Sequence, residues 1–175
     1  NQDLSAWKVG KVTNMSGMFF EAPSFNSDLT AWDVDLVVNM SVMFSGATSF
    51  NSDISNWKVG NVTDMWGMFR DAESFDQDLG SWNVSNVENM AQMLNRSGLS
   101  PEHFGSTLIG WASQEVQSNV TLGADGLGHC DQEAFEAEDI LENEKGWTVR
   151  SVSSQRGRPH QRARATGSTS PPRKS

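Results

Sequence analysis

The sequence predicts an α/β solenoid of about four strand-turn-helix coils with a C-terminal capping region, on three observations. Tryptophan recurs every 25 residues, at Trp7, Trp32, Trp57 and Trp82. Equivalent aliphatic residues flank it, Leu4, Leu29, Ile54 and Leu79 on one side and Val9, Val34, Val59 and Val84 on the other. A double methionine ladder follows: Met15, Met40, Met65 and Met90, with Met18, Met43, Met68 and Met93 three residues later. A unit this short cannot bury its apolar face alone, so stacked neighbours must supply the core.

The elements of one coil follow from the apolar spacing. In the third copy Trp57 and Val59 alternate at period two, which predicts a short strand facing a core. From Val62 the spacing becomes three and four, and Val62, Met65, Met68, Phe69 and Ala72 fall on one helical face. Ser85, followed three residues later by Glu88, fits a capping box at the start of the fourth such helix. The pattern L-x-x-W-x-V-x-x-V also matches the leucine-rich-repeat template, with Trp where Leu is usual.

After residue 97 the repeat breaks. Ser100-Pro101 suits an N-cap and first helical position, and Phe104, Leu108, Ile109 and Ala112 give that helix an apolar face that covers the last repeat. Val120 to Leu122 and Trp147 to Val149 read as short strands. Between them, residues 131–144 carry seven acids around Ala134, Ala137, Ile140 and Leu141, the pattern of a capping helix with a solvated acidic face. The organisation expected is therefore a repeat solenoid over 1–97, a capping flank over 98–149 and a basic, disordered tail over 150–175. The tail basics are Arg156, Arg158, Arg162, Arg164, Arg173 and Lys174.

Composition excludes several function classes. The formal net charge is -9, and residues 1–150 hold 22 acids against seven bases. A body this acidic disfavours nucleic acid as a partner for the repeats, because phosphate contacts need clustered Lys and Arg. No apolar run approaches the length of a membrane-spanning helix. The lone Cys130 reads as a small apolar residue in the flank, and no internal disulfide is possible. There is no C-x-x-C, phosphate loop or nucleophile elbow, so the chain is expected to be no enzyme and to need no cofactor.

The polar positions divide into ladders and a variable row. Asp3, Asp28, Asp53 and Asp78 recur with the repeat, and their expected role is to accept backbone N–H bonds, with a calcium ladder as the alternative. Asn1, Asn26, Asn51 and Asp76 form a second ladder that satisfies backbone at the bend between coils. Lys8, Asp33, Lys58 and Asn83, with Asn56 and Ser81, flank the tryptophans and vary from coil to coil. These six are the candidate ligand-binding residues, on an outward face of small and mixed-charge composition suited to a broad protein or glycan contact.

Blocks such as Phe50-Asn51-Ser52-Asp53-Ile54-Ser55-Asn56-Trp57-Lys58-Val59-Gly60-Asn61-Val62-Thr63-Asp64-Met65 resemble the BspA-like leucine-rich-repeat surface proteins, whose familiar form is F-N-x-D-L-S-x-W-D-V-S-N-V-T-N-M-x-x-M-F. The resemblance spans residues 1–97. It implies a secreted or surface-displayed adhesion module that binds an extracellular protein or glycan without catalysis. Composition is consistent with such a module without requiring it, and the alternative is a structural spacer or an intracellular protein-interaction scaffold.

Overall fold

A computed structural model describes residues 1–152. The helices and strands among these residues all follow the repeats: α1 (Pro101–Ala112), β1 (Thr121–Gly123), α2 (Gln132–Asn143) and β2 (Thr148–Arg150). Residues 1–97 contain neither the expected helix nor the expected strand in any repeat. They are built of successive turns, joined by single parallel bridges from Asn14 to Asn39, Asn39 to Asp64 and Asp64 to Asn89.

The reason lies in the backbone angles. Each repeat has two left-handed residues four apart: Gly17 and Glu21, Val42 and Gly46, Gly67 and Asp71, Gln92 and Arg96. A right-handed helix cannot pass through such positions. The spacing of three and four therefore places Met65, Met68, Phe69 and Ala72 on consecutive turns that face one core. Even-numbered N–H groups in this stretch close the turns, with Met68 donating to the Met65 carbonyl and Arg70 to that of Gly67. Odd-numbered ones leave the coil, Met65 donating to Asn89, Gly67 to Ala91, Phe69 to Met93 and Asp71 to Asn95. The same four-bond pattern joins the first coil to the second and the second to the third. At the tryptophan, Trp57 N–H donates to the Ile54 carbonyl, closing a turn where a strand was expected. Ser85 N–H likewise donates to the Asn83 side chain, and no helix starts there.

Stacked side chains fill the core. Phe44 lies 5.7 Å from Phe69 and Phe50 lies 5.9 Å from Phe75, ring over ring. Each buried indole donates to a backbone carbonyl of the preceding coil: Trp32 to Leu4, Trp57 to Leu29 and Trp82 to Ile54. Buried indoles require a partner for their N–H, and the repeat supplies one at a fixed offset.

The cap continues these interfaces with different elements. Ser100 caps α1 by accepting the His103 N–H, with Pro101 in the first turn. Trp111 of α1 donates to Leu79, taking the place of a fifth repeat tryptophan. Leu94 and Arg96 donate to the carbonyls of Gly123 and Asp125, and β1 pairs in parallel with β2. Two expectations need correction. Cys130 is exposed, not packed as a small core residue. The acidic face of α2 is not wholly solvated, because Glu138 is buried within the cap, where it meets the imidazole of His129 at 3.0 Å and accepts the Ser151 hydroxyl at 3.0 Å. The helical spacing of Ala134, Glu138 and Leu141 puts that carboxylate on the inward side. The basic tail positions from Arg156 onward lie outside the described residues.

Candidate binding face

Lys8, Asp33, Lys58 and Asn83 each stand between a tryptophan and a valine of the same coil, where all four valines and the tryptophans other than Trp7 are buried. Lys8, Asp33, Lys58 and Asn83 themselves are exposed. Because the coils stack at one repeat per layer, the four side chains form a row across the molecule. Among the described residues Lys8 and Lys58 have no hydrogen-bond or ion-pair partner, so their ammonium groups are available to a ligand. Asp33 and Asn83 are more constrained. Asp33 accepts the Asp35 N–H at 3.2 Å and Asn83 accepts the Ser85 N–H at 3.1 Å. Each also lies against a glycine of the preceding coil, where an added Cβ would come within 3.1 Å: Gly10 for Asp33 and Gly60 for Asn83.

The other two candidates hold coils together. Asn56 donates its amide to the Thr30 carbonyl at 3.0 Å, and Ser81 donates its hydroxyl to the Ser55 carbonyl at 3.1 Å. Both are exposed at the same time, so they belong to the face while serving the scaffold.

The acidic ladder is built from turns within each coil. Asp3 accepts the Ser5 N–H, Asp28 the Thr30 N–H and hydroxyl, Asp53 the Ser55 N–H and Asp78 the Gly80 N–H, at 2.7–2.9 Å. These backbone bonds hold the carboxyls of Asp3, Asp28 and Asp53 below the usual carboxylate value. Among the described residues no group of three or more His, Cys, Asp or Glu side chains converges as a metal site would require. The asparagine ladder acts between coils: Asn1, Asn26, Asn51 and Asp76 accept the N–H groups of Asn26, Asn51, Asp76 and Ser100 at 2.7–2.9 Å.

Sequence reasoning missed a surface clamp on the third and fourth coils. Arg96 binds Asp71 through two bonds of 2.6 and 2.8 Å. Arg70 donates to Gln92 and lies 5.7 Å from the ring centre of Trp66. The available signal was departure from the repeat, since Trp66 stands where the other coils have Ser16, Ser41 and Ala91.

A family model described as a Mycoplasma protein of unknown function, DUF285, matches residues 1–117. No curated protein and no solved structure matches the chain.

Proposed function

This chain belongs to the DUF285 family, and we propose that it is a non-catalytic binding module, secreted or displayed on a cell surface, that contacts an extracellular protein or glycan. We read residues 1–97 as a solenoid of the BspA-like kind, in which turns replace the strand and helix of the usual leucine-rich coil. The observation that carries the reading is the exposed row Lys8, Asp33, Lys58 and Asn83, presented at one residue per coil on a backbone cross-linked by hydrogen bonds. A rigid row loses little conformational entropy on binding, and repeated weak contacts add through multivalency. Adjacent charges of alternating sign disfavour a uniform polyanion and suit a mixed-charge protein or a neutral glycan. Among the described residues no helix is long and apolar enough to cross a membrane.

The test is a binding screen of the chain against arrayed glycans and matrix proteins, repeated with Lys8, Asp33, Lys58 and Asn83 all replaced by Ala. Binding by the native chain that the replacement abolishes is the expected result. Undiminished binding by the variant would place the ligand elsewhere.

A second reading, a structural spacer or intracellular scaffold, is favoured by one set of observations. Asn56 and Ser81 spend their polar groups on the preceding coil, and Asp33 and Asn83 on their own turns. Under that reading the native chain binds nothing on the array.

A further inference from the structure

The indoles of Trp32, Trp57, Trp82, Trp111 and Trp147 each donate to a backbone carbonyl. Trp66, within the array, differs. It is half-buried, and among the described residues its indole N–H has no acceptor and is open to solvent. Three coils fix its surroundings. The Arg70 guanidinium lies 5.7 Å from the indole centre and donates to the Gln92 side chain of the fourth coil at 3.1 Å. The Val42 N–H of the second coil donates to the Trp66 carbonyl at 2.8 Å. The Val42 methyl groups spread towards two positions that carry no side chain, 3.3 Å from a Cβ built on Gly67 and 4.0 Å from one on Gly17. The indole thus adjoins a low apolar strip in the second coil and polar N–H groups in the third and fourth. Hydrogen bonding in this cluster is one-sided. Arg96 engages both oxygens of Asp71, at 2.6 and 2.8 Å, and Asp64 accepts the Trp66 backbone N–H at 2.9 Å. Gln92 Oε1 accepts from Arg70 Nη1, which leaves three donors for a ligand: Gln92 Nε2, Arg70 Nη2 and Trp66 Nε1.

We infer that Trp66, Arg70 and Gln92 form a second binding site, for a neutral sugar that carries an acetamido group. The donor set calls for an acceptor. Arg70 and Arg96 against Asp71 leave one positive charge, and Asp125 also acts on Arg96. Around them lies a body of 22 acids and seven bases over residues 1–150, which repels a full anion, so the fitting acceptor is neutral. It is also partly apolar, because it lies against an indole and valine methyl groups. An acetamido sugar meets both conditions: its carbonyl accepts from the N–H donors, while its methyl group and the C–H face of its ring cover the indole and Val42. A plain hexose fits less well, since its hydroxyls also donate and the Asp71 oxygens are already taken by Arg96. The sugar class rests on the reading of the chain as an extracellular binding module. The site itself shares no residue with the row Lys8, Asp33, Lys58 and Asn83.

The experiment uses the full chain labelled with 5-fluorotryptophan, the Trp66 fluorine resonance being assigned by its loss in the Trp66→Phe variant. Titration with tri-N-acetylchitotriose should move that resonance saturably and leave those of Trp57 and Trp111 in place. Cellotriose, which has the same linkage and no acetamido group, should bind about tenfold or more weakly. Gln92→Glu keeps the acceptor for Arg70 and removes the donor, so it should lower the affinity for the acetylated trimer about tenfold without lowering the denaturation midpoint. The variant with Lys8, Asp33, Lys58 and Asn83 replaced by Ala should keep the full Trp66 response, which separates a failure at that row from a failure here. A Trp66 resonance that the trimer leaves unmoved, equal affinity for cellotriose, or undiminished binding by Gln92→Glu would each overturn the inference. A response to N-acetylglycinamide as strong as that to the trimer would assign the site to a peptide partner and overturn it as well.

Discussion

The indole N–H of Trp111 donates to the Leu79 carbonyl at 2.9 Å, the bond that Trp82 makes to Ile54, Trp57 to Leu29 and Trp32 to Leu4. A residue from helix α1 thus completes a ladder that the repeats began. The cap continues the indole ladder, although it has no repeat sequence.

The ladder makes one substitution behave differently at two equivalent positions. Trp57→Phe removes a buried indole and its bond to Leu29, and should cost about 1–3 kcal/mol in urea unfolding. Trp7→Phe changes an exposed ring without such a bond and should stay within about 0.5 kcal/mol. Equal losses at the two sites would mean that the indole bonds contribute nothing.

Val42 has a left-handed backbone with φ of 48°, at a position that is glycine in the first and third coils, Gly17 and Gly67. A β-branched side chain is strained there, at a cost on the order of 1–3 kcal/mol. Val42→Gly relieves that strain against the greater entropy that glycine loses on folding. The expected net gain is about 0.5–1 kcal/mol, read as a higher denaturation midpoint.

Gly110 sits within α1, where alanine is ordinarily better by about 1 kcal/mol. Here a Cβ would collide with the backbone of Gly80 in the fourth coil. Gly110→Ala should therefore destabilise by about 1–3 kcal/mol. A stabilised variant would show that α1 does not lie this close to the coil.

His103 of α1 meets Asp76 of the fourth coil at 2.8 Å. The Asp76 bond raises the His103 pKa above 6.5. Although partial burial pushes Asp76 upward, the Ser100 N–H and hydroxyl and His103 bring it net below 3.8. The histidine contribution is fully present below pH 6.5 and is lost as pH rises through the folded value. The aspartate contribution is present above pH 3.8 and is lost as pH falls through its own. Native minus His103→Gln stability should thus peak near pH 5, a value between the two, and shrink by about pH 8. The amplitude should stay below about 1 kcal/mol, because the side chains are 39 % and 36 % exposed. A difference that does not vary with pH would rule out the ion pair.

Recurrence was legible in the sequence because it needs no knowledge of backbone angles. Trp32, Met65 and Phe50 line the core as their ladders imply, and the exposed side chains of Asn26 and Asn51 bridge coils as the asparagine ladder implies. In the flank, Ser100-Pro101 marked the start of α1 because capping chemistry is local. The internal structure of a coil was not legible. Apolar spacing of three and four is shared by a helix and by consecutive turns on one core, and only the left-handed residues separate them. Three of those, Gly17, Gly46 and Gly67, are glycines, but Glu21, Val42, Asp71, Gln92 and Arg96 carry no such mark. The candidate face was legible as exposure. That Asn56 and Ser81 tie coils together was not, because their carbonyl partners lie on the backbone of another repeat.

The most direct measurement is the NMR scalar coupling transmitted through hydrogen bonds, from amide nitrogen to carbonyl carbon, in uniformly labelled protein. Couplings are predicted from Met65 to Asn89, Gly67 to Ala91 and Phe69 to Met93, across the boundary between the third and fourth repeats. Couplings instead from each of these amides to the carbonyl four residues earlier would establish a helix in each repeat and contradict the stack of turns on which the proposed binding face rests.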